Sequence, residues 1–165
     1  MIATACLHTP LGPVALTGSD AGLSAVSFAA LDSLAPTPAA AVPDCLREAH
    51  RQLAAYFGRE LRGFSLTCVP AGGTAFQRQV WAALSGIGYG RTASYLDVAM
   101  RLSTPNAVRA VGAANGQNPL AIVWPCHRVV GADGSLTGYS GGLHRKQWLL
   151  AFEQSTRQGG LFGER

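Results

Sequence analysis

A chain of 165 residues, 48% hydrophobic and only 13% charged, can build one good core or two small lobes and is not a disordered or fibrous protein. The formal charge of +4 is uneven: up to Gly72 four arginines stand against five acids, and from Gly73 onward eight arginines and one lysine stand against four. A basic second half suits a polyanionic partner, and Lys146, the single lysine, reads as codon usage rather than chemistry.

The four cysteines, Cys6, Cys45, Cys68 and Cys126, are widely spaced with no C-x-x-C pair. The chain opens with neither a basic segment nor a long apolar one, and no apolar run is long enough to span a bilayer. The expectation is a reducing cytosol with free thiols. Neither Cys6 with His8 nor Cys45 with His50 has the spacing of a zinc site, so no metal and no cofactor is expected.

Residues 2–28 alternate in polarity, with turn signals at Thr9-Pro10-Leu11-Gly12-Pro13 and Ser19-Asp20-Ala21-Gly22, which predicts a three-stranded meander. Residues 34–43 carry three prolines and read as a linker. Asp44 offers an N-cap for a helix whose apolar face is Leu46, Ala49, Leu53, Tyr56 and Phe57, stopped by Gly58. A further short strand is expected over 61–69, and Pro70-Ala71-Gly72-Gly73 reads as a hinge. The predicted division is a structural lobe over 1–73 and a second lobe over 74–165.

In the second lobe Thr74 and Gln77 form a capping box for a helix with Phe76, Val80, Trp81 and Leu84 on its apolar stripe. Ser94 and Asp97 form another, opening a short helix over 95–102. A turn at Ser103 and Thr104 follows, then a helix over 105–115 with Thr104 as its cap and Pro105 at its first position. Two short helices and a tight turn have the proportions of a helix-turn-helix. Ala107, Ala110, Gly112, Ala113 and Ala114 leave the second helix almost bare, which suits close entry into a minor groove with little sequence selection. Arg109 is its one long charge.

Next comes an apolar run from Leu120 to Val123, then Trp124, Pro125, Cys126, His127, Arg128, Val129 and Val130. An imidazole and a guanidinium in such a run are either fully paired or at the floor of a cleft where a strand ends, and Pro125, with no N–H for a ladder, supports the second. A Gly-rich stretch over 136–142 can approach a flat ligand closely. A last helix is expected over 143–154, with Leu149, Leu150 and Glu153 on one side, and 158–165 reads as a tail.

Pro125-Cys126-His127-Arg128-Val129 resembles the signature of the O6-alkylguanine-DNA alkyltransferases, and motif-level similarity runs over about residues 74–153. The resemblance implies a mixed α/β (α+β) fold, with a small ribonuclease-H-like N-terminal lobe and a mainly helical C-terminal lobe holding a winged-helix-like helix-turn-helix. It implies DNA repair by irreversible transfer of an alkyl group from O6-alkylguanine to Cys126 after nucleotide flipping, with O4-alkylthymine left open. It makes His127 the base, held by Glu153, and places the Tyr95 hydroxyl near guanine N3. Arg109 fills the gap left by the flipped nucleotide, and Asn118 holds the turn joining the recognition helix to the active site. The Val129 carbonyl accepts from the exocyclic amine, the Ser140 amide faces O6, and Tyr139 and Gly141 wall the pocket. The implied partner is double-stranded DNA containing alkylated guanine, bound by a cytoplasmic monomer without a membrane, with cooperativity along DNA left open. Val108 and Trp124 depart from the family pattern. A cysteine hydrolase or acyl-transfer enzyme also fits Cys-His-Glu chemistry, but does not explain the bare helix and the charge asymmetry. A non-repairing binder of alkylated DNA would lack the reactive cysteine.

Overall fold

The computed structural model describes residues 1–29 and 34–159. They divide into two compact units, the first made of Met1–Gly72 with Pro119–Val123, the second of Gly73–Asn118 with the chain from Trp124 onward. Residues 119–123, read from sequence as part of the second lobe, therefore fold with the first.

In the first unit β1 (Ala3–Thr9), β2 (Gly12–Ser19) and β3 (Gly22–Phe28) form an antiparallel meander in the order β1-β2-β3, as the alternation predicts. The turn into β3 needs Gly22: its φ is +146°, and a Cβ there would sit 2.7 Å from the Thr67 carbonyl oxygen. Helix α1 (Asp44–Phe57) lays Leu46, Leu53 and Tyr56 into the core with Val14 and Leu16 of β2. Its N-cap is Pro43, so Asp44 is the first helical residue and not the cap. Its carboxylate instead complements the positive helix end and pairs with Arg47 at 2.7 Å.

The strand expected over 61–69 is reduced to a bridge between Leu23 and Cys68. A side chain takes the place of a ladder partner: Gln52 accepts from Ser65 N–H at 3.0 Å and donates to the Ser65 carbonyl at 3.2 Å. On the same strand β3, Val26 N–H donates to Pro119 O at 2.9 Å and Ala121 N–H to Val26 O at 3.1 Å, which ties the 119–123 strip to this sheet.

The second unit starts with α2 (Ala75–Leu84), whose Thr74–Gln77 capping box is present in both directions. Gly73, at φ +109°, lets the Trp81 ring lie where a Cβ would be 2.6 Å away. The two-residue strands β4 (Ala93–Ser94) and β5 (Val129–Val130) pair in parallel, Ala93 with Val129 and Ser94 with Val130. Helix α3 (Tyr95–Arg101) is opened by the Ser94–Asp97 box. Helix α4 (Val108–Gly116) begins three residues later than expected. Pro105 lies in a single turn closed by Ala107 N–H to Thr104 O at 2.9 Å, a position that its fixed φ suits as well as a helix start. Thr104 does not cap; its hydroxyl donates to Ala99 O at 3.3 Å. Helix α5 (Leu143–Gly159) outruns its expected end, and the tail read over 158–165 lies, from 160 on, outside the described residues. No helix among the described residues is long and apolar enough to cross a membrane. Nor do they gather three or more His, Cys, Asp or Glu side chains fit to hold a metal.

Candidate active site

Every residue singled out for chemistry lies in the second unit. Pro125 leads into a tight 3-10 turn, Cys126–Arg128, which presents thiol, imidazole and guanidinium in succession before β5 takes Val129 and Val130 into pairing with β4. Cys126 is 2% exposed, so the sulfur is covered more closely than a cleft floor suggests. The Asn118 side chain hydrogen-bonds it, and Tyr139 and Lys146 stand near enough to interact electrostatically with it. Burial pushes the thiol up to about 11, against the Asn118 hydrogen bond and the Lys146 charge, which pull it down.

His127 and Glu153 are both 0% exposed, and His127 Nε2 meets Glu153 Oε2 at 2.8 Å. Burial lowers the imidazole against the pull of Glu153, so it rests neutral. Its Nδ1 is buried with no hydrogen-bond partner among the described residues. With the Nε2 proton donated to the carboxylate, Nδ1 is the nitrogen able to accept one from the thiol. Burial alone would raise the Glu153 carboxyl; His127 and Arg128 outweigh it and hold the group well below the usual carboxylate range. Arg128 Nε donates to Oε1 at 2.8 Å and Nη2 to Oε2 at 3.0 Å, while Nη1 donates to Ile87 O at 2.7 Å. Gly90 N–H adds a bond to Oε1 at 3.3 Å.

Helix α4 and the Cys126 turn are joined by two side-chain amides. Asn118 Nδ2 donates to Trp124 O at 2.8 Å, and Asn115 Nδ2, from the last turn of α4, donates to Cys126 O at 3.3 Å. Trp124 stacks on Trp81, centroids 6.0 Å apart and planes 25° apart, and Trp81 Nε1 donates to Ala114 O at 2.8 Å. The Trp124 departure thus brings in a partner on α2 and leaves Asn118 its backbone carbonyl.

The sequence-predicted residues separate into three places. Cys126, His127, Glu153, Asn118 and Tyr139 come together. Tyr95, first residue of α3, bonds the 136–142 loop instead, its hydroxyl donating to Thr137 O at 3.1 Å. Val129 is buried in β5, Ser140 is exposed, and Gly141 is buried with its carbonyl accepting from Arg145 Nη1 at 2.9 Å. Arg109 stands exposed on α4 with no hydrogen bond or ion pair among the described residues. Sequence reasoning passed over Asn115 and Lys146, and gave Arg128 a place in the signature without a partner. The one polar amide near the end of an alanine-rich helix, and the one lysine of the chain, were the signals available.

Fold and site together define a class: a buried cysteine with an imidazole–carboxylate pair, coupled to a helix-turn-helix through asparagine side chains that donate to backbone carbonyls. Residues 75–155 match the family model described as 6-O-methylguanine DNA methyltransferase, DNA binding domain. A methylated-DNA–protein-cysteine methyltransferase of Methanosarcina acetivorans is 46% identical over 153 residues, covering 92% of this chain and 97% of that one. The crystal structure of Mycobacterium tuberculosis O6-methylguanine methyltransferase matches with a TM-score of 0.80 at 43% identity, covering 94% of each chain. The Mycobacterium tuberculosis OGT in complex with DNA also matches at 0.80, with 42% identity and 92% of each chain covered. The chain belongs to the methylated-DNA–protein-cysteine methyltransferase family.

Proposed function

We propose that this protein repairs DNA by a single irreversible transfer of the alkyl group of O6-alkylguanine to Cys126. The carrying observation is the buried set of Cys126 beside a neutral His127 whose outer nitrogen is held by Glu153. The target carbon lies inside a duplex, so the nucleotide is first extruded, which costs a few kcal/mol. Arg109, free of protein partners among the described residues, fills the gap it leaves.

The thiol proton passes to His127 Nδ1 through a solvent molecule, and Glu153 stabilises the imidazolium. The thiolate attacks the alkyl carbon; the S–C bond forms as the C–O6 bond breaks, and its electron pair leaves on guanine. A proton from the Tyr95 hydroxyl or from solvent neutralises the leaving base, with the Ser140 amide facing O6. The Val129 carbonyl and the walls offered by Tyr139 and Gly141 orient the purine. The product is a thioether, a bond that the His127–Glu153 pair has no means to hydrolyse, so each molecule acts once. The substrate is double-stranded DNA bearing an alkylated guanine, met by a monomer. A reducing cytoplasm is the setting that keeps such a thiol free, in line with the unpaired state of all four cysteines.

Incubation with an O6-methylguanine duplex is expected to add one methyl group to Cys126, read by intact mass and peptide mapping, in one-to-one stoichiometry. Cys126→Ser keeps lesion binding and loses transfer. Turnover beyond one, or methylation of Cys126→Ser, overturns the reading.

A further inference from the structure

Asn115 takes no part in the steps above, yet it lies in the last turn of α4 at 2% exposed. Its Nδ2 donates to Cys126 O at 3.3 Å, and its Oδ1 is buried with no hydrogen-bond partner among the described residues. The reverse orientation of the amide would set oxygen against the Cys126 carbonyl oxygen, so the donor is the end in use. A half-satisfied buried amide costs the fold the desolvation of the atom left over, and an apolar side chain of the same outline avoids that cost. Nor is the bond needed to satisfy Cys126 O, which also accepts from Val129 N–H. Asn115 therefore sits where stability alone would favour a leucine.

What the amide does there follows from its neighbour. Asn118 N–H donates to Asn115 O at 3.3 Å, so the two asparagines leave one turn of backbone together. Asn118 Nδ2 holds Trp124 O, the carbonyl that also accepts from Cys126 N–H at 2.8 Å across Pro125. Asn115 Nδ2 holds the carbonyl on the other side of the Cys126 Cα. We propose that Asn115 is a positioning residue for the alkyl transfer, aiming the Cys126 sulfur along a line of attack fixed relative to α4, the second helix of the helix-turn-helix. The inference rests on the reading of Cys126 as alkyl acceptor. The two amides have separate tasks. Asn118 bonds the sulfur as well as the backbone and so acts on the acidity of the thiol. Asn115 bonds the carbonyl and acts on the direction of the side chain. Direction matters because displacement at carbon needs the sulfur in line with the C–O6 bond, and a misplacement of about 1 Å costs roughly 100-fold in rate.

The test is single-turnover methylation of the full chain by saturating O6-methylguanine duplex, with duplex affinity, melting temperature and the rate of iodoacetamide labelling at Cys126 recorded for each variant. Asn115→Leu keeps the outline without the polar ends, and Asn115→Asp keeps the outline with acceptors alone. Asn115→Leu is expected to melt at or above the parental temperature, and to bind duplex and label within about twofold of the parent, yet to transfer methyl roughly tenfold more slowly, the size of one misdirected hydrogen bond. Asn115→Asp is expected to transfer no faster than Asn115→Leu. A residue of merely structural use would lose melting temperature and rate together. Parental transfer in either variant overturns the inference, as does slowed transfer in Asn115→Leu accompanied by a lower melting temperature or an equal loss of labelling. Absence of methyl transfer in the parent protein overturns the proposed function as well, so the two failures are distinguishable.

Discussion

The pair of Arg128 and Glu153 allows a quantitative test of how the site is held. Both side chains are buried, and two charge-assisted bonds of 2.8 and 3.0 Å join them in fork geometry. Removing one partner of a buried ion pair leaves an uncompensated charge and costs about 3–5 kcal/mol. Arg128→Met and Glu153→Leu should each lose that much. Were the two independent, the double variant would lose about 6–10 kcal/mol, summed from the same range. It should lose far less, about 1–3 kcal/mol, because no charge then remains buried and the chief residue of the damage is an unpaired His127 Nε2. Denaturant unfolding at neutral pH with matched slopes measures all four corners of the cycle. Additivity within about 0.5 kcal/mol would refute the claim that the two charges neutralise one another.

The same pair sets the acid limit. The Glu153 carboxyl is held lower in the folded chain than in the unfolded one. Its contribution to stability is therefore fully present above about pH 4.3 and lost as the pH falls through the folded value. His127 is shifted in the opposite sense for its type, since burial lowers it. Its unfolded form binds the proton first, so stability also declines as the pH drops below about 6.5. The double variant keeps the second decline and loses the first, which an acid titration of the unfolding midpoint resolves.

Four further substitutions separate roles. Ser94→Ala removes one arm of the α3 capping box and should cost about 1 kcal/mol in thermal or denaturant unfolding, and slow transfer by loosening Tyr95, the first residue of that helix. Arg109→Ala should leave stability within about 0.5 kcal/mol, since the side chain is exposed, and weaken base extrusion, read by a fluorescent base analogue, more than overall DNA affinity. Equal losses, with the salt slope reduced by about one, would make Arg109 a phosphate contact. Trp124→Leu should lose about 0.5–1.5 kcal/mol of ring stacking beyond its area and keep transfer within a few-fold, because Asn118 bonds the backbone carbonyl there. Asn118→Ala should slow transfer strongly, since it removes a hydrogen bond to the sulfur as well as that carbonyl bond.

What the sequence made legible was local. The boxes of Thr74 with Gln77 and Ser94 with Asp97 need only four consecutive residues, and both form. The meander rests on period-two alternation with turn glycines and also forms. Ambiguity entered where one residue suits two local structures: Pro105 fits a turn or a helix start, and Asp44 a cap or a first turn. Where a backbone found its partner on a distant side chain, as Ser65 does on Gln52, a pattern of neighbours could not foresee it. The Cys126–His127–Glu153 set was reached through resemblance, because the carboxylate lies 26 residues beyond the imidazole. The partners of Arg128, and Lys146 altogether, stayed hidden for a related reason. Their bonds run to Ile87, Glu153 and Thr137, none of them sequence neighbours, and the lysine had no apolar run around it to suggest burial.

The electrostatics give a reason for burying so reactive a group. With the thiol pushed up to about 11 and the imidazole lowered, Cys126 and His127 both rest uncharged. A neutral thiol is a poor nucleophile toward solutes and oxidants, and one that is 2% exposed is harder still to reach. In the proposed reaction a proton crosses from sulfur to Nδ1, creating opposite charges in a buried site, which is costly unless each finds its complement at once. The complements are already set on the two sides: Glu153 behind the imidazole, itself kept ionised by Arg128, and Asn118 with Lys146 on the side of the sulfur. A chain that reacts once loses its function to any stray electrophile, so a thiol silent at rest conserves the protein. That silence follows from the same burial that makes Glu153, Asn118 and Lys146 effective when the proton moves.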